Sequence, residues 1–124
     1  MLQVQTKKLE TIAVLGLQGQ IVNGETDTLR DAVHSLSEVS AIKLDLACVT
    51  TVDAGGLGVM LELREQAEAK GIRFELMNVT KQIGRLLELT RLDSVFRIAN
   101  AMEVFPALSS RRAGTTVARY ASCA

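Results

Sequence analysis

The segment Ile42–Lys70 constrains the fold most, because it contains a strand, a turn and a helix in immediate succession. In its first part, apolar residues alternate with polar or small ones, a period of two that predicts a strand with at least one covered face. After the turn, apolar residues recur at helical spacing on one face and glutamates line the other; the apolar residues are Leu57, Met60, Leu61 and Ala67. The segment therefore predicts a helix N-terminus directly after a buried strand.

The turn of this segment is the candidate site, and its residues are Asp53, Ala54, Gly55, Gly56, Leu57 and Gly58. A carboxylate at Asp53 can accept a hydrogen bond from a free amide of the first helical turn, and it faces the positive end of the helix dipole. The two adjacent glycines have no side chains, so a ligand or a docked chain could approach the backbone there. The spacing alone nevertheless favours an ordinary turn over a binding site.

The part of the chain that precedes this segment predicts two strands and a helix. Residues 2–6 and 11–17 are the strands, with a hairpin turn at residues 7–10 between them. Residues 18–24 are predicted to form a loop in which an apolar residue packs against the domain. A helix is predicted from residue 26 onward, with Thr26 or Asp27 available as its cap. Its apolar residues at i, i+3, i+4 and i+7 are Leu29, Ala32, Val33 and Leu36.

After the central helix, strands and helices continue to alternate. A strand over residues 73–79, a helix capped by Thr80, a strand over residues 94–98 and a last helix over residues 103–108 are predicted. This order predicts an α/β fold with a single mixed β-sheet and packed α-helices, in which the crossovers are parallel and the first two strands antiparallel. Residues 1–108 form one domain in this prediction, and residues 109–124, rich in small residues, form a flexible tail.

Charge and composition exclude several functions. Fourteen basic and fourteen acidic residues balance, so no overall field favours nucleic acid. No apolar run approaches the length of a membrane span, and the N-terminus lacks an apolar signal core, which predicts a cytoplasmic protein without direct membrane insertion. The two cysteines lack metal-ligand spacing; Cys48 is predicted to be a small residue of the buried strand and Cys123 a thiol of the tail, without a disulfide scaffold.

Catalytic patterns are also missing from the sequence. His34 is the single histidine and lies off the apolar stripe of its helix, so we expect it to be exposed and without a catalytic partner. No paired carboxylates and no phosphate-loop lysine are present, and the glycine cluster at residues 55–58 does not have the spacing of a dinucleotide site. The residues predict a binding or switching module that is not an enzyme and needs neither a cofactor nor a metal.

Four segments in order carry a family resemblance: Leu17-Gln18-Gly19, the Asp-x-x-Gly-Leu-Gly motif beginning at Asp53, the strand Phe74–Val79, and Ile83–Leu92, which ends in Thr-Arg-Leu. In this combination the chain resembles the STAS domain family, named from sulphate transporters and antagonists of anti-sigma factors. The resemblance covers about residues 2–105. It implies a regulatory protein of bacterial transcription that acts by partner switching.

The resemblance also implies a partner and a docking site. Antagonists of this family bind an anti-sigma factor that is a serine kinase, and so release the sigma factor; Asp53–Gly58 would be the docking residues. The kinase phosphorylates a serine directly after the junction aspartate, but this chain has Ala54 there. Without a hydroxyl, the addition of about two negative charges cannot occur at this position. Thr50 and Thr51 lie nearby but precede the aspartate, which makes them weak substitutes as phosphate acceptors.

Two alternatives remain open at this point. The chain also resembles the stand-alone STAS subunits of lipid-transport ABC systems, which hold a transporter ATPase subunit and need no serine switch. A further alternative is a nucleotide- or anion-binding module that uses the amides of residues 54–56. We favour the antagonist. Val59 and Leu63, at one edge of the apolar stripe, suggest a face for a homodimer or a partner.

Overall fold

A computed structural model describes residues 2–99, which form a five-stranded sheet and three helices. The elements in chain order are β1 (Gln3–Leu9), β2 (Ile12–Ile21), α1 (Asp27–His34), β3 (Ala41–Val52), α2 (Ala54–Ala69), β4 (Arg73–Met77), α3 (Lys81–Leu89) and β5 (Arg97–Ala99). The strands lie in the order β1-β2-β3-β4-β5, with β1 antiparallel to β2 and the other pairs parallel. The predicted single mixed sheet with an antiparallel pair at its start is confirmed.

All three helices cover the same face of this sheet. Leu15, Leu44 and Leu76 are neighbours across three adjacent strands, and all three are fully buried. The same core cluster contains inward residues from every helix: Leu29 from α1, Leu57, Val59, Met60, Leu63 and Ala67 from α2, and Ile83 and Leu87 from α3. This arrangement follows from the strand order, because right-handed crossovers that always step to the next strand stay on one side.

The hairpin turn lies later in the chain than the sequence suggested. The predicted turn at residues 7–10 is wrong, since β1 continues to Leu9, which pairs with Ile12, and Glu10 takes a left-handed conformation with φ 56°. Both faces of β1 are largely exposed, so its side chains need not alternate between apolar and polar. Lysines are typical of such an edge strand. Here the two lysines interrupt the alternating pattern, so the sequence did not show that β1 continues through them.

The predicted loop at residues 18–24 begins as strand. β2 extends to Ile21, which pairs with Val52 and is fully buried, as expected for an apolar residue that packs against the domain. Register shifts between Gly16 and Gln18 and between Gly19 and Gln20 interrupt the β2–β3 pairing. Such irregularities twist a strand locally, and they obscure its alternating pattern in the sequence.

Smaller differences occur at the ends of later elements. The strand predicted over residues 73–79 ends at Met77, because Asn78 is left-handed with φ 55°. Thr80 caps α3 as predicted, its hydroxyl oxygen accepting from the Ile83 amide at 3.2 Å. Thr90 follows the last residue of α3 and is exposed, and its hydroxyl donates to the Leu86 carbonyl. The last strand occupies residues 97–99 instead of 94–98.

The helix predicted at residues 103–108 and the tail predicted at residues 109–124 lie outside the described residues. Within residues 2–99, none of the helices combines the length and apolar character needed to cross a bilayer.

Candidate functional site

Asp53 caps α2 and connects it to the loop after β2. Its backbone is extended (φ −105°, ψ −176°), and its Oδ1 accepts a hydrogen bond from the Gly56 amide at 2.8 Å. Both carboxylate oxygens also lie 3.1 Å from the amide of Asn23, 30 positions earlier in the chain. The predicted cap is confirmed, and the contact to Asn23 shows that the carboxylate also fixes the neighbouring loop.

Backbone donors keep the Asp53 carboxylate charged. The hydrogen bond from Gly56 is the largest cause of its lowered pKa, and the bond from Asn23 is the next; partial desolvation opposes them but is weaker. Hydrogen bonds to the charged form of an acid favour that form. The N-terminus of α2 therefore presents a fixed negative charge to solvent.

The two glycines after Ala54 lie in close contact with other residues of the same chain. A Cβ atom on Gly56 would lie 1.8 Å from the carbonyl oxygen of Ile21, and one on Gly55 would lie 2.8 Å from the Cβ of Asn23. The close backbone approach expected of these glycines is therefore made by β2 and the loop that follows it. The Gly56 amide, considered above as a donor to an anion, is bonded to Asp53. An external anion would have to displace a carboxylate to bind there.

Four of the six predicted site residues reach the surface. Asp53, Ala54 and Gly58 are exposed and Gly55 is half-buried, whereas Gly56 and Leu57 are buried. We name the four accessible residues the cap surface. In this conformation Gly56 and Leu57 support that surface from beneath and do not present side chains to a partner.

The homodimer or partner face suggested by Val59 and Leu63 is not present at these residues. Val59 is 5% exposed and Leu63 is fully buried, and both belong to the core cluster. The buried face of α2 is wider than the predicted stripe because this helix packs over the middle of the sheet. A helix in that position buries a broad apolar band.

A groove that the sequence did not reveal lies beside the cap surface. It has a volume of about 520 Å³, and its lining residues are Thr50, Thr51, Val52, Lys81, Gln82, Ile83, Arg85, Leu86 and Leu89. One wall is the end of β3, immediately before Asp53, and the other is α3. Leu89 is 76% exposed, and an exposed leucine outside the apolar stripe was the one available signal. The charged lining residues, Lys81 and Arg85, are both cationic.

The two threonines of the groove take part in the end of β3. Thr51 pairs with Gln20 in the sheet, and the Thr50 hydroxyl donates to the Gly19 carbonyl at 3.2 Å. His34, expected to be exposed, is exposed, and its Nε2 lies 2.9 Å from Oε1 of Gln66 on α2. It contributes to the contact between α1 and α2 and lies outside the cap surface and the groove.

Comparison with known proteins agrees with this architecture. Residues 3–108 match the STAS domain family. An anti-sigma factor antagonist from Mycobacterium paratuberculosis is similar in structure, with a TM-score of 0.73, 20% identity, and coverage of 90% of this chain and 95% of that one. A putative anti-sigma factor antagonist from Thermotoga maritima has a TM-score of 0.72 and 21% identity, with coverage of 88% of this chain and 94% of that one. A sulfate transporter family protein from Wolinella succinogenes has a TM-score of 0.64 and 20% identity, with coverage of 71% of this chain and 75% of that one. At these identities the structures show a shared fold.

Proposed function

The chain belongs to the STAS domain family, and on that premise we propose that it is an anti-sigma factor antagonist that binds its partner through the cap surface and the adjacent groove. The observation that carries the proposal is the exposed, fixed charge of Asp53 beside exposed Ala54, next to a groove whose lining includes Leu86 and Leu89. In this proposal the chain is a binding module with no catalytic role, and the anti-sigma factor of serine-kinase type is its partner.

The physical character of the two surfaces supports docking. Two backbone amides hold the Asp53 carboxylate, so little side-chain freedom is lost when it contacts a partner. Leu89 and Leu86 offer apolar area in the groove, and Lys81 and Arg85 offer cationic groups beside it. A partner segment with an apolar centre and acidic flanks complements the groove, and a cationic group complements Asp53.

Because residue 54 is alanine, the proposed antagonist is always able to bind its partner. It is the first residue of α2 and is exposed, where the resemblance places a phosphorylated serine in switched members of the family. The neighbouring threonines are poor replacements, since Thr51 lies in the sheet ladder and the Thr50 hydroxyl is bonded to Gly19. We infer that abundance or competition controls activity at this site.

The test is titration calorimetry of the chain with a purified serine-kinase-type anti-sigma factor encoded in the same genome. Ala54→Glu places a carboxylate in the middle of the cap surface, and because acidic residues are favourable in the first turn of a helix, the fold is preserved. Ala69→Glu is the matched control, since Ala69 is also exposed and lies at the opposite end of α2. We expect Ala54→Glu to weaken binding by at least about tenfold, or 1.4 kcal/mol, and Ala69→Glu to leave it unchanged.

Equal affinity of both variants and the wild type for the anti-sigma factor would show that the cap surface is not part of the interface.

A companion experiment uses Ala54→Ser, which introduces a hydroxyl at the first residue of α2. Incubated with the kinase and ATP, this variant should gain one phosphate at residue 54 by mass spectrometry and then lose affinity, whereas the wild type gains none there. If no anti-sigma factor binds and an ABC transporter ATPase subunit does, the transport alternative replaces this proposal.

A further inference from the structure

The turn between β2 and α1 lies beside the cap surface. Residues 22–25 form this turn, in which the Glu25 amide donates to the Val22 carbonyl at 3.0 Å. Its two central residues are Asn23 and Gly24, and Gly24 has a φ of 93°. A positive φ at the third residue of a turn favours glycine. The turn therefore exposes to solvent an asparagine that is followed directly by a glycine.

Asn23 helps to fix the Asp53 carboxylate. The Asn23 amide lies 3.1 Å from both carboxylate oxygens, and the Gly56 amide is a second donor at 2.8 Å. The Asn23 side chain lies against Gly55, where an added Cβ atom would be 3.3 Å from Cγ of Asn23. The carboxamide of Asn23 is thus at the border of the cap surface, and a change at this residue reaches Asp53 through its amide.

The atoms that take part in deamidation are accessible at Asn23 and Gly24. Asparagine is chemically labile, most of all before glycine, which has no side chain to shield its amide nitrogen. A Cβ atom at Gly24 would meet nothing within 4 Å beyond its chain neighbours. Among residues 2–99, the Gly24 amide donates to no backbone carbonyl. A local opening of this exposed turn therefore suffices to bring the Gly24 nitrogen to the side chain of Asn23.

We propose that Asn23 is a deamidation site and that its conversion loosens the Asp53 cap. The Gly24 nitrogen forms a bond to Cγ of Asn23, and the side-chain nitrogen leaves as ammonia together with the proton of the Gly24 amide. Water then opens the resulting succinimide ring at either carbonyl, which gives aspartate or isoaspartate without any oxidant or reductant. Both products place a new carboxylate at residue 23, and isoaspartate also lengthens the main chain by a methylene group.

Either product alters the interactions that fix Asp53. Neighbouring carboxylates repel each other, and a longer main chain at residue 23 displaces the amide from which Asp53 accepts. The cap surface then holds its charge less firmly and presents an additional negative charge. The protein should therefore lose affinity for the anti-sigma factor as it ages, although Ala54 has no hydroxyl to phosphorylate. This loss of affinity rests on the proposed function, whereas the conversion and the loosening do not.

The test follows the full-length protein during incubation at mildly basic pH and physiological temperature. Peptide mapping by mass spectrometry measures the conversion of amide to acid at each asparagine, and an isoaspartate methyltransferase identifies the isoaspartate product. Asn78 is the internal control, because its Nδ2 donates to Asp45 at 3.1 Å and Val79 follows it. We expect Asn23 to convert at least about tenfold faster than Asn78, since a β-branched residue crowds the attacking nitrogen.

Asn23→Gln is the matched variant. It keeps a carboxamide but places it a methylene group farther from the main chain, where the five-membered ring cannot form. The converted wild type, separated by anion exchange, should exchange its Gly56 amide hydrogen at least about tenfold faster than fresh protein. Its affinity for the anti-sigma factor, measured by calorimetry, should fall at least about tenfold. Asn23→Gln incubated in parallel should retain its initial exchange rate and affinity.

The possible failures are distinguishable. Conversion of Asn23 no faster than that of Asn78 would overturn the site, and an unchanged Gly56 exchange rate after conversion would overturn the loosening of the cap. Equal changes in incubated Asn23→Gln would assign them to another residue. Unchanged affinity of the converted protein would overturn the effect on binding. If fresh protein does not bind the anti-sigma factor, the proposed function fails, while conversion and Gly56 exchange still decide the present proposal.

Discussion

Replacing Gly56 with alanine should damage both the fold and the site. The added Cβ atom would lie 1.8 Å from the Ile21 carbonyl oxygen, and since contacts of this kind do not fall below 3.0 Å, α2 or the end of β2 must move by at least about 1.2 Å. Overpacking of a filled interior costs about 1–3 kcal/mol, and a clash with backbone atoms lies at the upper end. The higher helix propensity of alanine relative to glycine offsets about 1 kcal/mol of this cost. The net destabilisation is therefore about 2 kcal/mol.

Gly58 provides a matched control for this substitution. It lies in the same helix two residues later, is exposed, and a Cβ atom there would meet no other atom within 4 Å. Gly58→Ala should therefore stabilise the protein by about 0.8 kcal/mol through helix propensity alone. In urea unfolding with a slope of about 2 kcal/mol per molar, the midpoint should fall by about 1 M for Gly56→Ala and rise by about 0.4 M for Gly58→Ala.

The Gly56→Ala variant should also bind the anti-sigma factor more weakly, because displacement of α2 disturbs the hydrogen bonds that Asp53 accepts from Gly56 and Asn23. A midpoint within about 0.2 M of the wild type would refute the reasoning. So would destabilisation by Gly58→Ala as large as that by Gly56→Ala, since the loss would then reflect helix flexibility and not the contact with Ile21.

Three further changes test other parts of the structure. Thr80→Ala should cost about 1 kcal/mol in urea unfolding through loss of the α3 cap, and Thr80→Ser should cost much less; equal losses would contradict a role for the hydroxyl. Because the folded pKa of Asp53 is lowered, the stability advantage of the wild type over Asp53→Asn should be complete above about pH 3.8 and disappear as pH falls through the folded pKa; an advantage independent of pH would oppose this. Lys43→Met should cost about 2 kcal/mol, because the buried Glu75 carboxylate then depends on the more exposed Arg73 for its ion pair, and adding Glu75→Leu should restore most of the loss; additive losses would argue against the pair.

The sequence was most informative where apolar residues recur at a regular spacing. The alternation around Ile42, Leu44 and Leu46 predicted β3, and the helical spacing in residues 57–67 predicted α2, because in each element these apolar residues pack against the same core. The cap at Asp53 was also predictable, since capping is a local interaction between residues three positions apart. Alternation of strands and helices then restricted the topology to the observed sheet.

Features created by distant neighbours could not be predicted from the sequence. The carbonyl that excludes a side chain at Gly56 belongs to Ile21, 35 positions earlier (56 − 21), and no local pattern connects the two. The groove forms where the end of β3 meets α3, so its lining comes from two separate elements. Lys43 and Glu75 alternate with apolar residues as solvent-facing residues would, yet both are buried and form a salt bridge between neighbouring strands, 32 positions apart (75 − 43) in the chain.

The order of the strands bears on aggregation. A sheet with two ends can recruit a strand from another molecule, and long, flat, apolar edges carry the highest risk. Here β1 presents Lys7 and Lys8 along one edge. Among residues 2–99 the other edge is β5, which is three residues long there and begins with Arg97. Within this described part neither edge strand offers a long apolar template, which shields the buried parallel strands from edge-to-edge growth into fibrils.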